Sequence, residues 1–115
     1  MKKFVAIFAI PAATMKEWMA TVSEEEKATQ MQQMMQDWND WVAANESSIV
    51  DKGLPLGKTK HVDANGVTDV VNDLNWMMVI QAETPEAAAE VFVNHPHIKM
   101  IPSAYVEVMD ASRVM

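Results

Sequence analysis

The sequence predicts an α+β domain in which strands and helices follow the order β-α-β-β-α-β. Residues 4–10 and 76–80 are apolar at both odd and even positions, which is typical of central strands covered on both faces. A long amphipathic segment follows the first of these strands, and Asn65-Gly66 marks a tight hairpin before the second. This order is the ferredoxin-like arrangement, which has a four-stranded antiparallel sheet with its first and third strands in the middle.

Two helices are predicted after the first strand. Thr14 and Glu17 have the spacing of a capping box and begin a short helix over residues 15–21. Ser23 and Glu26 repeat that spacing and begin a longer helix. The apolar residues of the longer helix form one stripe, namely Ala28, Met31, Met34, Met35, Trp38, Trp41 and Val42. We therefore expect this stripe to pack in the core.

A hairpin is predicted in the middle of the chain. Residues 58–62 form a short polar strand, and the chain turns at Asn65-Gly66 and returns along residues 67–82. Asn72-Asp73 interrupts the apolar character of the returning arm, which indicates an irregularity such as a bulge.

The C-terminal part is predicted as a helix and a last strand. Thr84 is the expected N-cap and Pro85 the first helical residue, and the helix ends at Asn94, His95 and Pro96. The last strand covers residues 104–109. Charge then marks the two predicted edge strands of the sheet, residues 58–62 and 104–109, through Lys58, Lys60 and Glu107.

Composition limits the classes of function. The 115 residues suit a single domain over 1–115, and the net charge is −7, from 9 basic and 16 acidic residues. The scattered basic residues provide no stripe for phosphates, so we expect neither nucleic acid nor an anionic membrane as a partner. The absence of cysteine excludes thiol chemistry and thiolate zinc sites. No Gly-rich phosphate loop occurs, which argues against a nucleotide cofactor, and no other cofactor is indicated.

The N-terminus has two interpretations. Lys2 and Lys3 before the apolar run of residues 4–10 resemble a minimal secretory signal. We favour a buried strand, because the run is at the lower length limit of a signal core. No stretch approaches the roughly 20 apolar residues that span a bilayer. The expected location is therefore the cytoplasm.

A homodimer is predicted from the two-sided strands. Two helices cover only one face of a four-stranded sheet, yet both faces of the central strands are apolar. A second copy stacked on the open face would bury the remaining side chains. We expect Val5, Ile7, Met77 and Val79 to lie in these apolar layers.

Several short patterns resemble one protein family. They are Gly57-Lys58-Thr59-Lys60, Asn72-Asp73, Ala87-Ala88-Ala89 with Phe92, His95-Pro96-His97 and Val106-Glu107-Val108-Met109, together with the apolar first strand. The chain is similar in these respects to the YCII-related group of the dimeric α/β-barrel superfamily. The resemblance implies paired sheets, with isomerases, lyases, cofactor-free monooxygenases and haem peroxidases among the relatives. Other YCII-like proteins use a His early in the long helix, but residues 24–45 contain none, so that role is not transferred.

The catalytic candidates are His95, His97 and Asp73. We predict that they line one polar patch at the mouth of an apolar cavity, where Asp73 would raise the pKa of the imidazoles above 6.5. Such a pair could act as an acid and base on a small carbonyl or aromatic compound. The favoured structural alternative is that His95 caps the preceding helix and His97 serves the loop. A metal at the two histidines, with His61 or Asp73 as a third ligand, is the weaker alternative.

Further candidates concern binding of a small apolar or aromatic molecule. Four tryptophans and eleven methionines suit an apolar cavity, and Trp38 and Trp76 are candidate lining residues. Asn72 and His61 are candidate polar contacts, although His61 is most simply a solvated side chain. Core packing and hydrogen bonding to the backbone are the structural alternatives. The competing functional hypothesis is a binding or accessory module without catalysis.

Overall fold

The structure is a computed structural model that describes residues 1–112. It contains six strands, four α-helices and one 3-10 turn at Glu46–Ser48. The elements are β1 (Lys2–Ala9), α1 (Ala12–Thr21), α2 (Glu24–Ala44), β2 (Ile49–Pro55), β3 (Thr59–Asp63), β4 (Gly66–Val70), β5 (Leu74–Ala82), α3 (Pro85–Glu90), α4 (Pro96–Met100) and β6 (Tyr105–Asp110). None of these helices is long and apolar enough to cross a membrane.

Four strands form one antiparallel sheet in the order β2-β5-β1-β6. The two strands that are apolar on both sides, β1 and β5, lie in the middle as expected, and β6 lies at an edge. An α+β architecture with a four-stranded antiparallel sheet is therefore confirmed, and it is compatible with a ferredoxin-like fold.

The second edge strand differs from the prediction. It is β2, whereas residues 58–62 contribute to β3, which pairs with β4 in a separate two-stranded sheet. The sequence pattern did not indicate β2, because Gly53 and Pro55 are residues that usually interrupt strands. In the structure Gly53 lies inside the strand at φ +88, where the pairing register with β5 shifts. A Cβ at this position would lie 1.5 Å from the carbonyl oxygen of Met77, so the close approach of β2 to β5 requires glycine.

The helix starts are partly as predicted. Ser23 Oγ accepts a hydrogen bond from the Glu26 amide at 3.1 Å, and Thr84 Oγ1 accepts one from the Ala87 amide at 3.0 Å. These two N-caps are confirmed. The capping box predicted at Thr14 is wrong, because α1 already begins at Ala12.

The core lies between the sheet and its helices. It contains Phe4, Ala6, Phe8, Trp41, Met78, Ile80, Ala82, Ala88 and Phe92, and Trp38 packs against it while only partly buried. The apolar stripe of α2 reaches beyond this core, since Met31 and Met35 are 61% and 64% exposed. The expectation that the whole stripe is buried is therefore wrong at its N-terminal end.

The opposite face of the sheet carries partly buried apolar side chains without a helix over them. Val5 pairs with Val79, and Ile7 pairs with Met77, across β1 and β5. The chain is correspondingly flat, with extents of 44 × 44 × 19 Å and a radius of gyration of 15.8 Å. A compact chain of this length has a radius of gyration of about 13 Å.

Candidate functional site

His95 lies inside a cluster of aromatic rings and has no exposed surface. Its ring centroid is 4.4 Å from that of Trp41, 4.5 Å from that of Trp38 and 4.9 Å from that of Phe8. Its Nδ1 accepts a hydrogen bond from the His97 amide at 3.0 Å, which assigns the proton of the neutral ring to Nε2. Nε2 is buried and has no hydrogen-bond partner. This imidazole is thus enclosed by packing and faces no solvent-filled site.

The helix-cap interpretation of His95 needs a correction. The hydrogen bond from the His97 amide makes His95 the N-cap of α4, whereas we expected it to cap the end of the preceding helix. Pro96 follows as the first residue of α4, because a proline at this position loses no helical hydrogen bond. His97 therefore lies in a helix and not in a loop.

His97 ties α4 to the end of β1. The ring is 4% exposed, and its Nε2 bonds to the carbonyl oxygen of Ala9 at 2.8 Å. Because the acceptor is a carbonyl, Nε2 is the donor. The four ring nitrogens of His95 and His97, which we considered as metal ligands, are thus buried or hydrogen-bonded. Within residues 1–112, no group of three or more His, Asp or Glu side chains is placed to hold a metal ion.

The structure shifts the titration of both rings in the direction opposite to our prediction. Burial lowers the pKa of His95 from 6.5 to about 3, and the nearby His97 adds to this effect. Burial also lowers the pKa of His97, although its hydrogen bonds to the backbone of Ala9 and Tyr105 oppose the change. The expectation of raised pKa values is therefore wrong, because desolvation dominates.

Asp73 forms its hydrogen bonds with groups other than the two histidines. Its Oδ1 accepts a hydrogen bond from the Ala12 amide at 2.9 Å, and its backbone carbonyl accepts one from Ile10 at 2.8 Å. Pro11, the N-cap residue of α1, provides no side-chain cap, so Asp73 supplies that acceptor from a distant part of the chain. No hydrogen bond joins Asp73 to either buried imidazole in the part of the chain that the structure describes.

Tyr105 is the other partner of Asp73. Its hydroxyl lies 3.4 Å from Oδ2 of Asp73. Desolvation raises the pKa of the Tyr105 phenol, and the carboxylates of Asp73 and Glu107 add to this rise. The phenol donates its proton in the contact with the Asp73 carboxylate. The sequence did not predict whether the Tyr105 side chain faces the interior or the solvent.

A groove of about 550 Å³ opens beside Asp73. One wall is α1 and the other is the segment that joins β4 to β5. Most of the lining is apolar, and Lys16, Asn72 and Asp73 are among its polar groups. The lining side chains from α1 are Ala12, Met15, Lys16, Met19 and Ala20. The sequence indicated Met15 and Met19 as apolar positions of a short helix, but it did not predict a binding site there.

The remaining candidates are distributed over three places. Asn72 lies in the groove, where its Oδ1 accepts from the Leu74 amide at 2.9 Å. His61 is exposed on β3, with Nε2 3.0 Å from Asp63 Oδ2. Trp76 donates from Nε1 to the carbonyl oxygen of Lys52 at 2.9 Å, and its ring lies 5.4 Å from that of Trp38. The structure thus brings only Asn72 and Asp73 together in an open site.

Comparison with protein-family models finds no match to this sequence, and comparison with curated proteins finds no significant similarity.

Proposed function

We propose that the protein is a homodimeric domain of the YCII-related, dimeric α/β-barrel type that binds a small apolar or aromatic molecule. The groove between α1 and residues 71–75 is the observation that carries the binding function. Its volume of about 550 Å³ is in the range of small-molecule sites. An apolar lining with a few polar groups is also the usual composition of such sites.

The polar groups of the groove suggest the chemistry of the ligand. Asp73 already accepts the Ala12 amide and faces the Tyr105 hydroxyl, so its oxygens are largely engaged. Lys16 is exposed and forms no ion pair with any described residue. An aromatic or aliphatic carboxylate would place its body between the methionines of α1 and its charge beside Lys16.

Binding without catalysis is better supported than acid–base catalysis by the predicted His and Asp residues. An acid–base pair must reach the substrate and each other. His95 and His97 are enclosed by protein, and Asp73 forms its hydrogen bonds with other groups. The hypothesis that these three residues act on a small carbonyl or aromatic compound therefore has less support than a binding module.

The dimer is supported by the surface area of the single chain. The chain exposes 8208 Å², whereas a compact monomer of 12.9 kDa exposes about 6,300 Å². The excess of about 1,900 Å² is within the area that each chain buries in an obligate homodimer. The uncovered apolar sheet face is the surface that we assign to this interface.

Ligand binding can be tested with naphthalene-2-carboxylate in an NMR titration of the ¹⁵N-labelled protein. We expect shifts at the amides of α1 and residues 71–75. Ala20→Trp should weaken binding at least tenfold because the indole fills the groove. Ala28→Trp is the matched control on an exposed position of α2 and should bind like the wild type. Shifts confined to other surfaces, or equal affinity of both variants, would contradict the proposed site.

The dimer can be tested by sedimentation velocity at micromolar concentration. We expect a dimer for the wild type and a monomer for Val79→Lys, because a lysine on the open face cannot be buried without a partner. Asn39→Lys on the exposed side of α2 is the control and should remain dimeric. A wild-type protein that sediments only as a monomer would refute the homodimer.

A further inference from the structure

We propose that the β3–β4 hairpin, residues 59–70, is an arm that packs against a second copy of this chain. In the single chain the two strands pack chiefly against each other, and almost every residue of the arm is exposed. A two-stranded hairpin without further packing is marginally stable in water. The arm therefore requires a surface that the single chain does not supply.

The arm carries one exposed apolar pair near its turn. Val62 and Val67 form a cross-strand pair and are 71% and 65% exposed. The adjacent pair, His61 and Thr68, has the opposite orientation because side chains alternate along a strand. The face with Val62 and Val67, here called the valine face, also carries the Lys60–Asp69 ion pair, and the opposite, polar face carries His61 and Thr68. On the valine face, the valine pair is the part that gains from burial.

The charges of the arm do not favour an anionic partner. Lys60 forms an ion pair with Asp69 across the two strands, and His61 contacts Asp63. The hairpin contains one lysine and two aspartates, which leaves no basic stripe for nucleic acid or an anionic membrane. Apolar burial against protein is the interaction that this surface fits.

The arm is joined to the same sheet whose open face we assign to the dimer. The Leu56 amide donates to the carbonyl oxygen of Asn75 at 3.0 Å, which extends the pairing of β2 with β5. Asn72 Nδ2 then donates to Thr59 Oγ1 at 3.1 Å at the base of the arm. The base of the arm is therefore joined to the end of the β2–β5 pair.

A second copy is the occupant that accounts for these features together. The excess exposed surface of about 1,900 Å² includes both the open sheet face and the arm, so one partner could cover both. In a two-fold dimer each arm would reach the other subunit, and the two contacts would be equivalent. This inference rests on the proposed homodimer and assigns to it a contact beyond the stacked sheets.

Two matched double variants test the arm. Val62→Lys with Val67→Lys places two charges on the valine face, and His61→Lys with Thr68→Lys places two on the polar face of the same hairpin. Sedimentation velocity over a dilution series should give a dimer dissociation constant at least tenfold higher for the first variant. The second should stay within threefold of the wild type. Equal dissociation constants for both variants would overturn the proposal.

Hydrogen exchange on the wild-type protein provides an independent measurement that needs no variant. Amides of residues 59–70 should be protected above the dimer dissociation constant and exchange rapidly below it. If the protein dimerises and only the amides of the main sheet respond to dilution, the arm proposal fails and the dimer remains. Protection of the arm at every concentration would show packing on its own chain and would also overturn the proposal. A protein that is monomeric throughout would refute both.

Discussion

Acidification tests the burial of His95. The imidazole is neutral in the folded protein because burial lowers its pKa from 6.5 to about 3. In the unfolded chain the same ring is exposed to water and gains a proton near its ordinary pKa of about 6.5. Because the folded-state pKa is lowered, the contribution of His95 to the free energy of unfolding is fully present above pH 6.5. It is lost as the pH falls from 6.5 towards the folded pKa, because the unfolded state then binds the additional proton.

The magnitude follows from this linkage. One histidine that titrates only in the unfolded chain lowers the free energy of unfolding by about 2 kcal/mol between pH 7 and pH 5. The lowered pKa of His97 acts in the same direction.

Urea unfolding followed by tryptophan fluorescence at pH 7 and pH 5 measures this loss at constant protein concentration. His95→Gln removes the titrating ring, so its loss between the two pH values should be smaller than that of the wild type by about 2 kcal/mol. His61→Gln, on the exposed hairpin, should lose as much stability as the wild type. The reasoning is refuted if His95→Gln keeps the full pH dependence, or if an NMR titration places the His95 pKa at 6.5 or above.

Three substitutions test the packing and the caps by urea unfolding at pH 7. Trp38→Ala should lower the free energy of unfolding by roughly 3 to 5 kcal/mol, as large-to-small changes in a core do, and an unchanged midpoint would place the indole outside the core. Gly53→Ala should destabilise far more than Gly57→Ala, since the new methyl group would overlap a backbone carbonyl of β5 only at position 53. Asp73→Ala should lower the free energy of unfolding by about 1 kcal/mol, the usual effect of losing a helix cap. Asp73→Asn keeps an acceptor for the Ala12 amide, so its effect should be smaller. Equal effects of the two substitutions would contradict the cap.

The sequence predicted those parts of the fold that depend on local pattern. Residues 4–10 and 76–80 were recognisable as central strands because burial on two faces leaves no polar alternation. Ser23 and Thr84 were recognisable as caps because the hydrogen bonds that they accept come from amides three residues away. These signals need no knowledge of the rest of the chain.

The missed features depend on contacts between distant residues. The glycine in β2 is compatible with a strand only because β5 approaches it closely, and no local pattern reveals that approach. The α2 stripe identifies an apolar helix face, but it does not show where the supporting sheet ends, so Met31 and Met35 were wrongly assigned to the core. Asn94-His95-Pro96 fits the end of one helix and the start of another equally well.

The polar residues that interrupt apolar runs hold one end of the sheet together. Where β1 ends, Ala9 bonds to His97, and the Ile10 and Ala12 amides bond to Asp73. Buried backbone groups at such an end are costly unless they find partners, and these side chains and the Asp73 carbonyl satisfy them. The same residues attract attention in a sequence as candidate catalysts, because titratable groups among apolar neighbours are typical of active sites. Only the hydrogen bonds distinguish the two roles, and here they engage both histidines within the protein, whereas the groove beside α1 stays open.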